Sequence, residues 1–353
     1  MLSVADAEQL AAAVLPRDIW DFVSGGSETE RTLAANRAAL DSVYVVPKML
    51  ADVSRVTAAT SLVGCEAAMP AAVAPMAYQR MVHPDGELGL ASACAGAGIP
   101  YTAAMLASTS IEQIAEVGGC LWLQLYWLTD RGLMIDLVKR AEAVGVQALV
   151  LTVDVPRLGR RLKDMRNGFA FPDGIVAANL ARESLPGSVP GSSAVDRHTA
   201  AIFDPSLSWS DLSWLTDRTN LPVMLKGILD ANDAKRAVQA GAAAVVVSNH
   251  GGRQLDGAVP SITALPWVVE AVAGQCQVLL DSGIRGGTDM LRAMALGADG
   301  AMLGRPALWA LAAGGQAGAA RLLELLGEEL AQAMALAGCR DLAGVRSLLT
   351  VVR

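Results

Sequence analysis

"QAGAAAVVVSNH" (239–250) leaves a helix-like stretch, turns at Gly241, runs through apolar residues and ends on polar ones. "AVGVQALVLTVD" (143–154) and "ALGADGAMLGR" (295–305) repeat that order, with Gly145 and Gly297 at the turn. A glycine just past a helix accepts the left-handed conformation that ends it. In all three copies the polar end of the strand begins seven residues after that glycine, at Thr152, Ser248 and Gly304. Repetition of this unit implies parallel strands joined by helices.

Working outward, eight strands emerge: 71–75, 101–105, 122–127, 149–154, 223–227, 245–249, 278–283 and 301–305. Helical patterns lie between them, such as "DRGLMIDLVKRAEAVG" and "DANDAKRAVQAG". Eight βα units in about 250 residues predict a TIM (β/α)8 barrel. A doubly wound sheet is the alternative, but no GxGxxG follows a first strand. Residues 1–65 read as a helical N-terminal extension, 66–338 as the barrel and 339–353 as a tail, all one domain. The connection after strand four is long, and its Pro-, Gly- and Ser-rich part, 173–208, reads as a lid.

The bulk numbers narrow the function. The 353 residues are 53% hydrophobic, enough for a large core, with no uncharged apolar run of about 18 residues to suggest a membrane span. The start carries Asp6, Glu8 and Arg17 and reads as a structural helix rather than a signal peptide. A net charge of −7 leaves no footprint for nucleic acid. Five scattered cysteines lack CxxC spacing, which argues against zinc, against a disulfide framework, and for a reducing cytoplasm. No metal is expected.

In a barrel of this kind the site lies at the C-terminal strand ends. Those ends carry Gln124 and Tyr126, Thr152 and Asp154, Lys226, Ser248 with His250, Asp281 with Arg285, and Gly304 with Arg305. Any one of these can be a helix cap. Polar residues at six consecutive strand ends are harder to explain that way. "LDSGIRGGTD" and "LGRP", after strands seven and eight, combine glycine amides with arginine where such barrels hold a phosphate. Lys226 ends an apolar strand, so it either makes a buried ion pair or offsets negative charge on a cofactor. Arg161 and Arg253 suit a substrate carboxylate. His250 suits a general base oriented by Asp154. His83 and His198 are read as structural.

"SNHGGRQLD", "TVDVPRLGRR", "QLYW", "LKG", "LDSGIRGGTD" and "GRP", in that order, resemble the FMN-dependent 2-hydroxy acid oxidases and dehydrogenases, a group that includes glycolate oxidase, lactate oxidase and mandelate dehydrogenase. "FVSGGSETERTLAANRAAL" and "MALAGCRDL" extend the resemblance over nearly the whole chain. It implies FMN as cofactor, a 2-hydroxy acid and O2 as reactants, H2O2 as product and a homotetramer. By that resemblance His250 is the base, Asp154 its partner, Tyr126 lies near the substrate hydroxyl, and Arg161 and Arg253 bind the carboxylate. Lys226 stands beside the flavin ring, with Gln124, Thr152 and Ser248 as ring contacts. Asp281 meets the ribityl chain, and Gly283, Arg285, Gly304 and Arg305 the phosphate. The turn Ala74, Pro75, Met76, Ala77 lies against the flavin.

Departures from the family pattern point to the substrate. Phe22 replaces a tyrosine, Leu106 a tryptophan, Ala104 a serine and Met76 a hydroxyl residue. The result is a larger, more apolar pocket. "MAYQRMVHPDGE", "MRNGFAFPD" and "LDGAVP" look most like bacterial oxidases of 4-hydroxymandelate, implying an (S)-aryl substrate. Lactate, glycolate or longer aliphatic acids, a dehydrogenase passing electrons to a quinone or cytochrome, and a non-catalytic flavin-binding barrel are the competing readings.

Overall fold

In the computed structural model, which describes residues 1–180 and 193–352, eight parallel strands close into a barrel. They are Ala71–Val73, Tyr101–Ala104, Leu121–Leu125, Ala148–Thr152, Val223–Ile228, Ala244–Val247, Gln277–Leu280 and Gly300–Leu303. Each pairs with its sequence neighbours, and the eighth closes onto the first through Ala301–Ala71 and Leu303–Val73. All eight expected strands are present.

The three glycine turns share one geometry. Gly145, Gly241 and Gly297 have φ of 81°, 79° and 102°. The amides of Val146, Ala242 and Ala298 each return 3.0 Å to the carbonyl five residues back, the paired-bond helix stop that satisfies orphan carbonyls.

Strand alternation sorts the side chains. Ala72, Trp122, Ala148, Val150, Met224, Ala244, Val246, Leu279 and Met302 fill the barrel interior, while their neighbours face the helices. One large indole among alanines lets the layer close without voids. Leu62, fully buried, joins this cluster from below. It belongs to a hairpin, Thr60–Leu62 with Cys65–Ala67, that plugs the N-terminal mouth.

The cysteine reading needs correction here. Cys65 is disulfide-bonded to Cys120, with Cα atoms 6.2 Å apart. The pair ties the plug to the start of the third barrel strand. The partners are 55 residues apart in sequence, so no local spacing could announce them; only barrel closure brings them within bridging range. The cysteine argument for a reducing compartment falls with it. Cys94, Cys276 and Cys339 are free.

The flanking segments do more than extend the chain. Helices Val4–Val14, Arg17–Ser24 and Arg31–Asp41 lead in. The end of the chain returns as Leu349–Val352, antiparallel to Val43–Val46. The expected lid lies in part outside the described residues, at 181–192; its later part forms the helix Ala194–Ile202. No helix among the described residues is long and apolar enough to cross a membrane.

Candidate active site

The nonapeptide "SNHGGRQLD" is a connector as much as a site. Asn249 exchanges two side-chain bonds with Asn36, at 2.7 and 2.9 Å, and its Oδ1 accepts from the Gly252 amide at 3.1 Å. Gln254 donates to the carbonyls of Asp154 and Arg157, at 2.9 and 2.8 Å, holding the loop after the fourth strand. Asp256 accepts from the Thr29 and Thr32 amides, at 3.1 and 2.9 Å, fastening the start of helix Arg31–Asp41. The motif thus ties two distant segments, helix Arg31–Asp41 and the loop after the fourth strand, to the stretch that carries His250. Sequence reading had assigned no role to Asn249, Gln254 or Asp256.

His250 Nδ1 lies 3.0 Å from Asp154 Oδ1. A carboxylate accepting there fixes the proton on Nδ1 and leaves Nε2 with its lone pair. The ring is pushed below its ordinary pKa, first by burial and also by Lys226 and Arg161, against the upward pull of Asp154. It therefore rests neutral and proton-accepting at neutral pH. Asp154 reaches this position because Gly227 has no side chain: a Cβ there would meet Asp154 Cβ at 2.6 Å, at the register shift in the fifth strand.

Lys226, also buried, pairs with Asp281 at 2.8 Å and donates to Ser248 Oγ at 2.9 Å. Burial alone would lower its pKa, but Asp281 and Asp154 overcome this and hold it cationic. The expected buried ion pair is present, and Lys226 also lines the cleft. Gln124 and Thr152 bond each other at 3.1 Å just behind that wall. Tyr126 lines the cleft; its phenol is pushed up to about 12, first by burial and then by Asp154, so it stays protonated.

The arginines carry the strongest signal. Arg253 Nη1 donates to the carbonyls of Phe22 and Gly25, at 2.7 and 2.8 Å. Arg305 reaches Val23 and Gly25 carbonyls at 3.2 and 3.0 Å. The two cations thus cap the C-terminal end of helix Arg17–Ser24, where backbone carbonyls lack partners and the dipole is negative. Arg161 and Arg253 sit 5.6 and 5.2 Å from the centroid of the Phe22 ring. Arg285 lies over Trp309. Among the described residues none of Arg161, Arg253, Arg285 and Arg305 has an ion-pair partner. Burial pulls Arg305 down to about 9, with Arg285 and Arg161 adding to it, and Arg285 to about 10. Four partly desolvated guanidiniums line one cleft. Unmatched buried charge is costly, so the cleft is built to receive anions at two places.

One place is the end of strands seven and eight. Gly304 precedes helix Arg305–Leu336 with no side-chain cap, and the space where its Cβ would project is open. The Arg285 and Arg305 guanidiniums beside this open glycine turn fit a phosphate there. The other place is beside His250, where Arg161 and Arg253 fit a carboxylate. The cleft wall also includes Ala74, Pro75, Met76 and Ala77, with Asp281 and Gly283. Phe22 and Leu106 line the same cleft, so the expected substrate-side residues converge. Ala104, the remaining departure, is buried in the second strand. His83 and His198 take no part in the cleft wall.

The lining residues not foreseen include Tyr78, and Val195, Thr199 and Phe203 from the segment around helix Ala194–Ile202. The helical spacing of the last three was the available signal. Among the described residues no cluster of metal-ligating side chains occurs.

A closed barrel with a two-anion cleft, a neutral histidine–aspartate pair and a cationic lysine defines an FMN-type oxidoreductase. Residues 11–351 match the FMN-dependent dehydrogenase family, and the chain belongs to it. It is 54% identical to 4-hydroxymandelate oxidase of Amycolatopsis orientalis, over 99% of this chain and 98% of that one. It is 46% identical to L-lactate oxidase of Nostoc sp., over 98% and 96% of the two chains. A crystal structure of mandelate oxidase with (S)-4-hydroxymandelic acid superposes with a TM-score of 0.98 at 54% identity, covering 100% of this chain and 99% of that one.

Proposed function

We propose that the protein oxidises an (S)-2-hydroxy acid with an aryl side chain, mandelate or 4-hydroxymandelate, to the 2-oxo acid, with O2 as terminal acceptor and H2O2 as product. The observation that carries this reading is the pair of unmatched guanidiniums, Arg161 and Arg253, beside a neutral His250 in an apolar-walled cleft. The two arginines clamp the carboxylate and orient the adjacent carbon. Tyr126 faces the substrate hydroxyl. His250 Nε2 takes a proton from the substrate, and Asp154 stabilises the imidazolium so formed. FMN supplies the two-electron acceptor.

The residues that hold FMN in this reading are Ala74, Pro75, Met76, Ala77, Gln124, Thr152, Lys226 and Ser248 for the ring, and Asp281 for the ribityl chain. Gly283, Arg285, Gly304 and Arg305 take the phosphate. Lys226 keeps a positive charge against the ring, its proton secured by Asp281.

Phe22 and Leu106 set the substrate class. Phe22 lines the cleft and is backed by Phe169, which stacks on it at 4.6 Å. Burying a phenyl ring there contributes roughly 1.5–3 kcal/mol, or about ten- to 150-fold in kcat/KM where the contact persists in the transition state. Measured under air, kcat/KM for mandelate and 4-hydroxymandelate should exceed that for lactate and glycolate. Leu106→Trp should refill the space and cost more on mandelate than on lactate. A wild-type preference for lactate or glycolate overturns the aryl reading.

A further inference from the structure

Tyr78 lines the cleft, and among the described residues its buried hydroxyl has no hydrogen-bond partner. The residue is only 1% exposed. A buried hydroxyl left unpaired is unfavourable, and phenylalanine would fill the same space without that cost. Other wall groups are committed. Thr199 Oγ1 donates back to the Val195 carbonyl at 2.9 Å, and Lys226, His250 and the arginines belong to the reactive and phosphate ends.

The position is held with care. Tyr78 adopts φ 54°, a left-handed conformation unusual for an aromatic residue. Its amide donates to the Leu106 carbonyl at 3.1 Å. The next amide, of Gln79, donates to the fully buried Glu87 carboxylate at 3.0 Å, and that of Arg80 to Ser108 Oγ at 3.0 Å. Glu87 also accepts from the Ser108 amide at 2.7 Å. One buried carboxylate therefore positions both Tyr78 and the loop bearing Leu106.

Ring contacts place Tyr78 relative to the reactive end. Phe22, beneath the two guanidiniums, stacks on Phe169; Phe169 meets Phe171 at 5.7 Å; Phe171 meets Tyr78 edge-on at 4.7 Å. A row of packed rings thus joins Phe22, at the carboxylate clamp, to Tyr78, and these two members of the row line the cleft. We infer that the Tyr78 hydroxyl reads a polar substituent at the far end of the substrate ring, making a 4-hydroxyaryl 2-hydroxy acid the preferred substrate; this rests on the aryl reading above. A phenol in both roles can donate to or accept from the substrate hydroxyl. Bare mandelate leaves Tyr78 unpaired.

The test compares holoenzyme with Tyr78→Phe and Thr199→Val on mandelate and 4-hydroxymandelate. In Tyr78→Phe the ratio of kcat/KM, 4-hydroxymandelate over mandelate, should fall about five- to 150-fold, the range for one buried hydrogen bond left unmade. The Kd ratio for the products benzoylformate and 4-hydroxybenzoylformate, read from perturbation of the flavin absorbance without turnover, should shift the same way. An unchanged ratio in Tyr78→Phe, or a fall confined to Thr199→Val, overturns the assignment while aryl oxidation stands. Failure of the unmodified enzyme to oxidise either aryl acid overturns the functional reading and this inference together.

Discussion

Replacing Arg161 with methionine separates what the carboxylate clamp costs the fold from what it gives the reaction. The guanidinium is buried, its Nε has no hydrogen-bond partner among the described residues, and Asp164 acts on it without ion-pair contact. Arg161 and Arg253 lie 5.6 and 5.2 Å from one ring centroid. Their charges are then no more than about 11 Å apart, and an effective dielectric near 20 makes their repulsion at least roughly 1.5 kcal/mol. Methionine keeps most of the length and removes both that repulsion and the desolvation of an unmatched charge. Stability without substrate should therefore rise by about 1–2 kcal/mol, read as a higher denaturant midpoint at unchanged slope. Activity should move the other way. A bidentate clamp offers two charge-assisted bonds of about 1.5–3 kcal/mol each, so kcat/KM for mandelate should fall about 10²- to 10⁴-fold. A variant less stable than the parent, or one within fivefold of its kcat/KM, refutes the argument that Arg161 is an unmatched cation kept for an anionic substrate.

Three further outcomes follow from the same geometry. His250→Asn should slow anaerobic flavin bleaching by about 10²- to 10⁴-fold while FMN stays bound, because the phosphate site proposed above is at Gly304 and Arg305; near-parental bleaching removes His250 from the reaction. The proton-accepting imidazole is the neutral form, which predominates above its pKa, and burial lowers that pKa from 6.5. The acid limb of kcat/KM should accordingly fall below pH 6.5 with a plateau through neutrality, and Asp154→Asn, which withdraws the upward pull, should move the limb lower as activity drops; a limb centred above pH 7 contradicts this. Gly252→Ala should cost about 1–3 kcal/mol or more, since φ is +73° and a Cβ would meet the Leu33 amide nitrogen at 2.5 Å; a thermal midpoint equal to the parent's would show that the motif is not wedged against helix Arg31–Asp41.

Much of this molecule was legible along the chain, because helix stops, strand period and cap chemistry act over a few residues. Gly145, Gly241 and Gly297 announced three βα units, and the spacing from each glycine to Thr152, Ser248 and Gly304 marked the catalytic face before any pairing was known. The His-Gly-Gly-Arg stretch likewise offered its candidate base and cation locally. Other features depend on register and closure, which no short window contains. Cys65 meets Cys120 only because the plug hairpin seats beneath the third strand. Arg253 and Arg305 find their carbonyls on a helix more than 200 residues away in sequence. Whether Lys226 is a structural ion pair or a cleft-lining cation also needed the fifth and seventh strands brought side by side with the sixth, where Asp281 both pays for its burial and leaves it facing the cavity. Tyr78 carries no local signal of a role; only packing leaves its hydroxyl without a partner. Local sequence determined the elements and the reactive groups; tertiary structure decided which charges remain unmatched, because that depends on every segment that closes around them.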